Sequence, residues 1–444
     1  MRIIIAGDGD TGTYLANTLS IENQDIVLMG TDKAHLSELE ATCNIITYVG
    51  SAVSVTDLTR CGVADADLFV AVTSDENLNL VAAQTAKGCG AKKCVARVDN
   101  PDFLHSLSYE VFRRNGIDTL IYPERLAAEE IMNYIRHNWV REWFDVHDSN
   151  LIVAGVKVGA DSAIVGKQLK ETASTPRYFH VSALKRNDET MIPHGDTAIQ
   201  AGDILYFSVL PENLGKLYAI CGGTQTKIGK IMISGGGRVT ENLLEEIHSG
   251  YDVTVIESDL ERCKYIARKY QDVTVVNTKA NDVTTLKEEG IGGCDLFLAL
   301  TGSAEKNIVS CMVAREHGVK KTLARIEELQ YIPEAESLSI DKIINKKLLN
   351  VSKILDMLIE ANFEEARCML LDGAEIIKLM AHPGSKVVSR PICRLALPSG
   401  ITIAGIIRDG KGMLAEGNTR IEPGDRVLVF CQIGSLPKIE RLFR

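Results

Sequence analysis

The chain carries one short pattern twice, 228 residues apart. Ile3-Ile4-Ile5-Ala6 runs into Gly7-Asp8-Gly9-Asp10-Thr11-Gly12, and Ile231-Met232-Ile233-Ser234 runs into Gly235-Gly236-Gly237-Arg238-Val239-Thr240. The echo continues downstream. Asp67-Leu68-Phe69-Val70-Ala71-Val72-Thr73 is answered by Asp295-Leu296-Phe297-Leu298-Ala299-Leu300-Thr301, and Ala96-Arg97-Val98 by Ala324-Arg325-Ile326. One glycine fingerprint is a weak signal. Two in register, each with matching parts behind it, constrain the fold to a duplication of glycine-loop units.

Between the echoes, apolar runs alternate with helical periodicity. Strands are expected over 2–6, 26–30, 45–49, 68–72 and 94–98, with helices between them such as Thr13 to Ser20 and Asn77 to Gly88. Near-continuous apolar strands separated by helices predict an α/β fold: a parallel sheet covered on both faces, here twice. Each unit leads into a helical stretch. The first contains Pro123 to Ile131 and the second Ile343 to Leu349, with apolar residues at three- and four-residue steps. Residues 147–225 and about 370–444 read instead as short strands with turns. Gln200-Ala201-Gly202-Asp203 and Glu422-Pro423-Gly424-Asp425 mark matching turns before a strand. The expected division is 1–146, 147–226, 227–368 and 369–444, two copies of a two-domain module.

In a Rossmann-type turn the first glycine permits the tight bend and the second admits the ligand's phosphates. The third lets the helix approach the sheet, and an acid at the end of the second strand accepts ribose hydroxyls. The helix N-terminus supplies free N–H groups and partial positive charge. Unit one has Gly7, Gly9 and Gly12, but its second strand ends at Gly30, with Asp32 two residues on. Unit two has Gly235 and Gly237, Thr240 at the third position, and the expected acid as Glu257. Asp8 and Asp10 set negative charge beside the phosphate position of unit one, whereas unit two carries Arg238 there. Charge therefore favours a polyphosphate such as ATP in unit two, and NAD or a weaker ligand in unit one. The carboxyl ends of the strands add Thr73, Ser74, Gly50 and Ser51, and in unit two Thr301, Gly302, Asn277 and Thr278. Arg97 and Arg325 sit in the fifth strands, where a buried guanidinium needs either a nucleotide or a carboxylate as partner.

Composition narrows the class. A formal net charge of −10 argues against a nucleic-acid partner, which calls for a basic footprint. No apolar run is long enough to span a membrane, and the first residues lack the pattern of a signal peptide. The 11 cysteines are scattered, without C-x-x-C, and read as reduced core thiols. The 9 histidines, among them His105, His137, His147, His180 and His194, form no metal-ligand pair. No nucleophile motif or hydride-transfer acid accompanies the glycine turns, so a binding and shape-changing role is expected rather than catalysis.

Taken in order, these features resemble the TrkA family of peripheral regulatory subunits of bacterial Trk potassium-uptake systems, built of RCK (regulator of potassium conductance) N and C domains. The features are the two glycine turns, the strand ends at Thr73 and Thr301-Gly302, and an acid shortly before an asparagine in each unit (Glu76 and Asn79; Glu305 and Asn307). The Pro423-Gly424-Asp425 turn completes the pattern, and the resemblance spans essentially the whole chain.

It implies two Rossmann-like sheets, each followed by a crossover helix and a small α+β C domain. It also implies a cytoplasmic protein, peripheral on the inner face of the cell membrane, assembled as a homotetrameric ring on a potassium-translocating membrane subunit. The implied ligands are NAD(H) and ATP or ADP. Carried over by position, the contacts are Gly7, Asp8, Gly9, Asp10, Thr11, Thr73, Ser74 and Arg97, with Gly12 and Asp32 at the fingerprint's remaining positions. In unit two they are Gly235, Gly236, Gly237, Arg238, Val239, Glu257, Thr301, Gly302 and Arg325. Two rival readings are C domains that sense a cyclic dinucleotide or other small ligand, and a Rossmann-type oxidoreductase.

Overall fold

The computed structural model describes residues 2–20, 25–146, 149–172, 178–187, 189–221, 226–247, 250–279, 283–338, 340–361, 365–371, 374–432 and 435–443. Side chains at 355–356, 358–371, 436–437 and 440 are not described. His147 and the side chain of Cys368 lie outside the described set.

The first sheet contains Arg2–Ala6, Asp25–Gly30, Ile46–Val49, Leu68–Ala71, Lys93–Arg97 and Thr119–Ile121, all parallel, with the first strand between the second and the fourth. The second parallel sheet repeats it with Lys230–Ser234, Asp252–Glu257, Val273–Asn277, Leu296–Ala299, Lys321–Arg325 and Lys342–Ile344. The order of strand addition reverses at the first strand, which opens a crevice at the carboxyl ends where ligands of such sheets lie. The aspartate that opens each repeated strand is a tie. Asp67 accepts from the Arg2 N–H at 2.9 Å, and Asp295 from Gly229 and Lys230 at 2.9 and 3.1 Å.

The sixth strands went unread in the sequence. Ile343 and Ile344, read there as helical, are strand residues paired with Ala324 and Arg325. Their β-branched side chains suit a pleat better than a helix. The helix Lys346–Ala361 begins only after Asn345, whose side chain accepts from the Leu348 N–H at 3.1 Å.

Each crossover helix buries its apolar stripe on the opposite half. Helix Pro123–Arg136, which follows the first sheet, places Ala127, Ala128, Ile131, Met132 and Ile135 in the core of the second. Helix Lys346–Ala361, which follows the second sheet, places Val351, Ile354 and Met357 in the core of the first. Each large apolar side chain so buried contributes ~1.5–3 kcal/mol, so the exchange ties the halves together. Ion pairs accompany it: Lys346 Nζ to Glu124 Oε1 at 2.8 Å, and Lys342 Nζ to Glu130 Oε1 at 2.7 Å.

The two C-terminal parts are five-stranded antiparallel sheets. Gly202 (φ +91°) and Gly424 (φ +93°) make the turns that the sequence marks. Arg186 then grips the buried Asp203 through Nε and Nη2, both at 2.7 Å, and Arg408 grips Asp425 at 2.8 and 2.7 Å. One face of each sheet enters a shared core containing Val153, Ala183 and Tyr206 from one and Ile376, Ala404 and Phe430 from the other. His180 Nε2 lies 3.2 Å from Thr402 Oγ1 across it. The described cysteines are free thiols, mostly buried. Burial pushes the Cys61 thiol up to about 11 and Cys94 to about 12, which makes them inert rather than reactive. Among the described residues no helix is long and apolar enough to cross a membrane, and no cluster of His, Cys, Asp or Glu could hold a metal.

Candidate functional site

Both glycine loops sit at the carboxyl ends of their first strands and lead into a helix N-terminus, at Asp10 and at Arg238. Gly7 (φ +128°) and Gly235 (φ +105°) need glycine twice over. The backbone is left-handed, and a Cβ would come within 3.0 Å of the Thr73 and Thr301 nitrogens. Gly9 and Gly237 face open space, as a phosphate approach requires. Thr11 lies in the first turn of helix Asp10–Ser20. Val239 is buried in the core of the second unit, so only its backbone can serve a ligand.

At the third fingerprint position the units differ. A Cβ on Gly12 would fall 1.9 Å from the Gly7 carbonyl oxygen, the close helix approach expected of this glycine. Thr240 is fully buried and donates its hydroxyl to the Gly235 carbonyl instead.

The opposite wall is built alike in both units. The buried Asn79 accepts from the Thr73 N–H and hydroxyl at 2.8 and 2.7 Å, and donates to the Thr73 and Arg97 carbonyls at 3.1 and 3.0 Å. Asn307 repeats all four bonds with Thr301 and Arg325. The asparagines are staples between the fourth and fifth strands, which leaves Ser74 and Gly302 exposed at the rim. Glu76 Oε2 accepts from the Asp99 and Asn100 N–H groups, both at 2.8 Å. Of the two partners open to the fifth-strand arginines, both meet a carboxylate two residues on: Arg97 with Asp99 at 3.1 Å and Arg325 with Glu327 at 2.7 Å. Asn277 donates to the Glu257 and Ser258 carbonyls at 2.9 and 3.1 Å, so its amide braces the second strand end.

Asp32 is a helix cap. Its Oδ1 accepts from the Ala34 and His35 N–H groups at 2.9 and 3.1 Å, the same duty that Asp259 performs in unit two. Glu257 does lie against its loop, with Oε2 accepting from the Gly236 N–H at 2.7 Å.

The two residues that set the charge contrast both reach across to the other half. Asp10 Oδ2 meets Lys347 Nζ at 2.6 Å, and hydrogen bonding and charge from Lys347 hold its carboxyl below the usual range. Arg238 Nη1 donates to the Asp99 carbonyl at 3.3 Å, and Asn242, one turn on, to the Tyr122 hydroxyl at 3.2 Å. The arginine thus helps line a cavity of about 600 Å³ between the units, with Tyr122, Arg125, Arg262 and Lys269. Beside it Arg262 Nη2 meets Glu241 Oε2 at 2.6 Å, and its Nε donates to the Gly236 carbonyl. Glu241 also receives Lys269 Nζ at 2.7 Å and the Tyr265 hydroxyl at 2.6 Å. Burial raises this carboxyl, but the donors outweigh it and hold it at about 2. Sequence reasoning missed Lys347, Asn242, Tyr122, Arg262 and Glu241. The Lys346-Lys347 pair beside an apolar stripe signals an acidic partner without saying which, and the others carry no local signal.

Two parallel sheets with glycine loops, each followed by an antiparallel sheet domain, define a tandem RCK-type protein. The fold matches the crystal structure of the GsuK RCK domain with a TM-score of 0.60 at 17% identity, covering 100% of this chain and 94% of that one. It matches the structure titled "GsuK channel bound to NAD" at 0.62 and 17%, covering 100% of this chain and 78% of that one. The chain belongs to the TrkA family: the TrkA-N domain matches residues 3–123 and 231–346, and the TrkA-C domain residues 153–222 and 377–444. Curated relatives include the Trk system potassium uptake protein TrkA of Halomonas elongata, 29% identical over 100% of this chain and 99% of the relative. TrkA homolog 1 of Methanosarcina mazei is 28% identical over the full length of both.

Proposed function

We propose that this chain is the nucleotide-sensing regulatory subunit of a potassium-uptake system. It acts from the cytoplasmic face on a separate membrane subunit that carries the ion. The observation that carries the reading is the wiring of each glycine loop to the opposite half. Asp10 meets Lys347, Arg238 meets the Asp99 carbonyl, and Asn242 meets Tyr122. A nucleotide seated at either loop therefore lies one side chain from the crossover helices. A ligand that binds one arrangement of the halves more tightly shifts the population toward it, with couplings of typically ~1–3 kcal/mol. The names of the curated relatives support the potassium role, and the GsuK title supports NAD as one ligand.

NAD(H) and ATP or ADP are the proposed ligands, held by Gly7 to Gly12, Thr73 and Ser74 in unit one and by Gly235 to Val239, Glu257, Thr301 and Gly302 in unit two. Arg97 and Arg325 would act from behind, through the carboxylates they pair with. Arg238 at the second loop favours the polyphosphate there, whereas Arg262 and Lys269 beside it are already paired with Glu241. Oligomerisation into a ring is supported by Val81 and Val309. They stand at matching positions of the duplicated helices Glu76–Gly88 and Ala304–Glu316 and are 48% and 50% exposed.

The test is calorimetric titration of the full chain with ATP, ADP, NAD and NADH, repeated on Gly7→Asp and Gly235→Asp, with solution scattering of each liganded state. Binding lost separately in the two variants, with scattering that differs between ATP and ADP, is the expected result. No nucleotide binding, or identical shape in every state, would overturn the sensor.

A further inference from the structure

We propose that in the first unit the carboxylate that receives the ligand's ribose hydroxyls is Asp8, on the glycine loop itself. The second unit supplies that group from the strand end, as Glu257. The proposal rests on the glycine loops being nucleotide sites and deepens that reading.

Strand pairing fixes the correspondence. Met29 stands opposite Ala6 and Ile256 opposite Ser234, so Gly30 matches Glu257 and Asp8 matches Gly236. In unit two Glu257 closes the gap from the strand side. Its Oε2 accepts from the Gly236 N–H at 2.7 Å, and its Oε1 from the Asp259 N–H and the Ser258 hydroxyl at 2.9 and 3.2 Å. In unit one the same gap is closed from the loop side. Asp8 Oδ2 accepts from the Thr31 and Asp32 N–H groups, both at 2.9 Å.

The glycine and the acid have changed places, and the two choices exclude each other. A Cβ on Gly30 would fall 2.2 Å from Asp8 Oδ2 and 2.3 Å from its carboxyl carbon. Gly30 does not have a positive φ, so its backbone makes no demand for glycine; the carboxylate beside it does. Asp32 stands two residues beyond that position and caps the next helix, the place that Asp259 holds in unit two.

Two backbone donors hold one oxygen of Asp8, and among the described residues no donor reaches the other. A fixed carboxylate with a free oxygen accepts ribose hydroxyls and repels a 2′-phosphate. The ligand class is thus a nucleotide with an unphosphorylated ribose, and NADPH is disfavoured against NADH.

The experiment uses the full chain carrying Gly235→Asp, which closes the second loop. NADH and NADPH binding are read by calorimetry, with circular dichroism as the check on folding. Asp8→Gly is expected to weaken NADH by about tenfold to a hundredfold, the loss of a charge-assisted hydrogen-bond pair. It should weaken NADPH less. Gly30→Glu alone is expected to abolish binding through the clash. Asp8→Gly with Gly30→Glu, which gives unit one the residues of unit two, is expected to recover most of the NADH affinity and the preference over NADPH. Unchanged NADH affinity in folded Asp8→Gly would overturn the assignment and leave the nucleotide reading standing. A folded double variant without recovery would also overturn it. Absence of NADH binding in the folded Gly235→Asp chain would overturn the assignment, and absence of any nucleotide binding in the unaltered chain would overturn the reading it rests on.

Discussion

At the first loop the helix comes so near the turn that only glycine fits at position 12. At the second, Thr240 stands in that place and ties helix to turn with its hydroxyl. A second pair of differences lies beside it. The Asp8 carbonyl receives the Thr13 hydroxyl at 3.3 Å, whereas the Gly236 carbonyl receives Arg262, itself gripped by Glu241. Around these replacements the asparagine staples are identical bond for bond. The comparison teaches that what the loop requires is a closed hydrogen-bonding and steric geometry. Contact, hydroxyl or guanidinium can each provide it, while the opposite wall tolerates one solution.

The sharpest way to break the comparison is to install one unit's solution in the other. Gly12→Thr, without the rest of unit two's loop, drives a Cβ into the Gly7 carbonyl and is expected to cost ~3 kcal/mol, the upper range of overpacking. A large fall in thermal midpoint by calorimetry checks it; a neutral result would mean that the first loop relaxes freely into the second's form. Next come the staples. Asn79→Ala and Asn307→Ala each leave two carbonyls and a buried N–H unpaired, at ~2 kcal/mol apiece. Hydrogen exchange at the strand ends should report equal losses in the two units, and unequal losses would show that the shared wall is not equally weighted.

Thr240→Val removes one hydrogen bond and keeps the shape, at ~1 kcal/mol. It is expected to increase exchange at Gly235 to Gly237 and leave the first loop unchanged.

Acid should separate the units as well. The Glu241 carboxyl is held at about 2 against an ordinary 4.5, so the folded state binds its proton less tightly than the unfolded chain. Its stabilisation is complete above pH 4.5 and is lost as the pH falls toward about 2. Glu241→Gln should flatten acid unfolding over that window by circular dichroism, whereas Thr13→Val at the matching place should not. The smallest effect belongs to Asp10→Asn. The Asp10 side chain is 79% exposed, so loss of its bridge to Lys347 is expected to cost no more than ~0.5 kcal/mol at low salt. A double-mutant cycle with Lys347→Met measures it.

Much of the architecture was legible because it is written locally and twice. Apolar runs of strand length, each followed by a helical period, gave five strands of the first parallel sheet to within a residue at each edge and the second sheet as their repeat. The short sixth strands escaped because three residues such as Lys342–Ile344 cannot show a period, and a lysine-rich helix follows directly. Of the candidate site, the glycines and strand ends stand where the spacing put them. Asp32 and Asn277 turned to bracing the local backbone, and Arg238 to a carbonyl of the other half.

The sequence alone determined the duplication, the order of domains, the two glycine turns and the position of Glu257. These depend on residues near one another in the chain, and local sterics leave few alternatives. Only the tertiary structure decided that each crossover helix serves the opposite sheet. An amphipathic stripe states that a face must be buried, not against what. It likewise decided that Asp8 fills the space left by Gly30. That pairing joins a loop to the next strand's end through a contact of 2.2 Å that no spacing rule encodes.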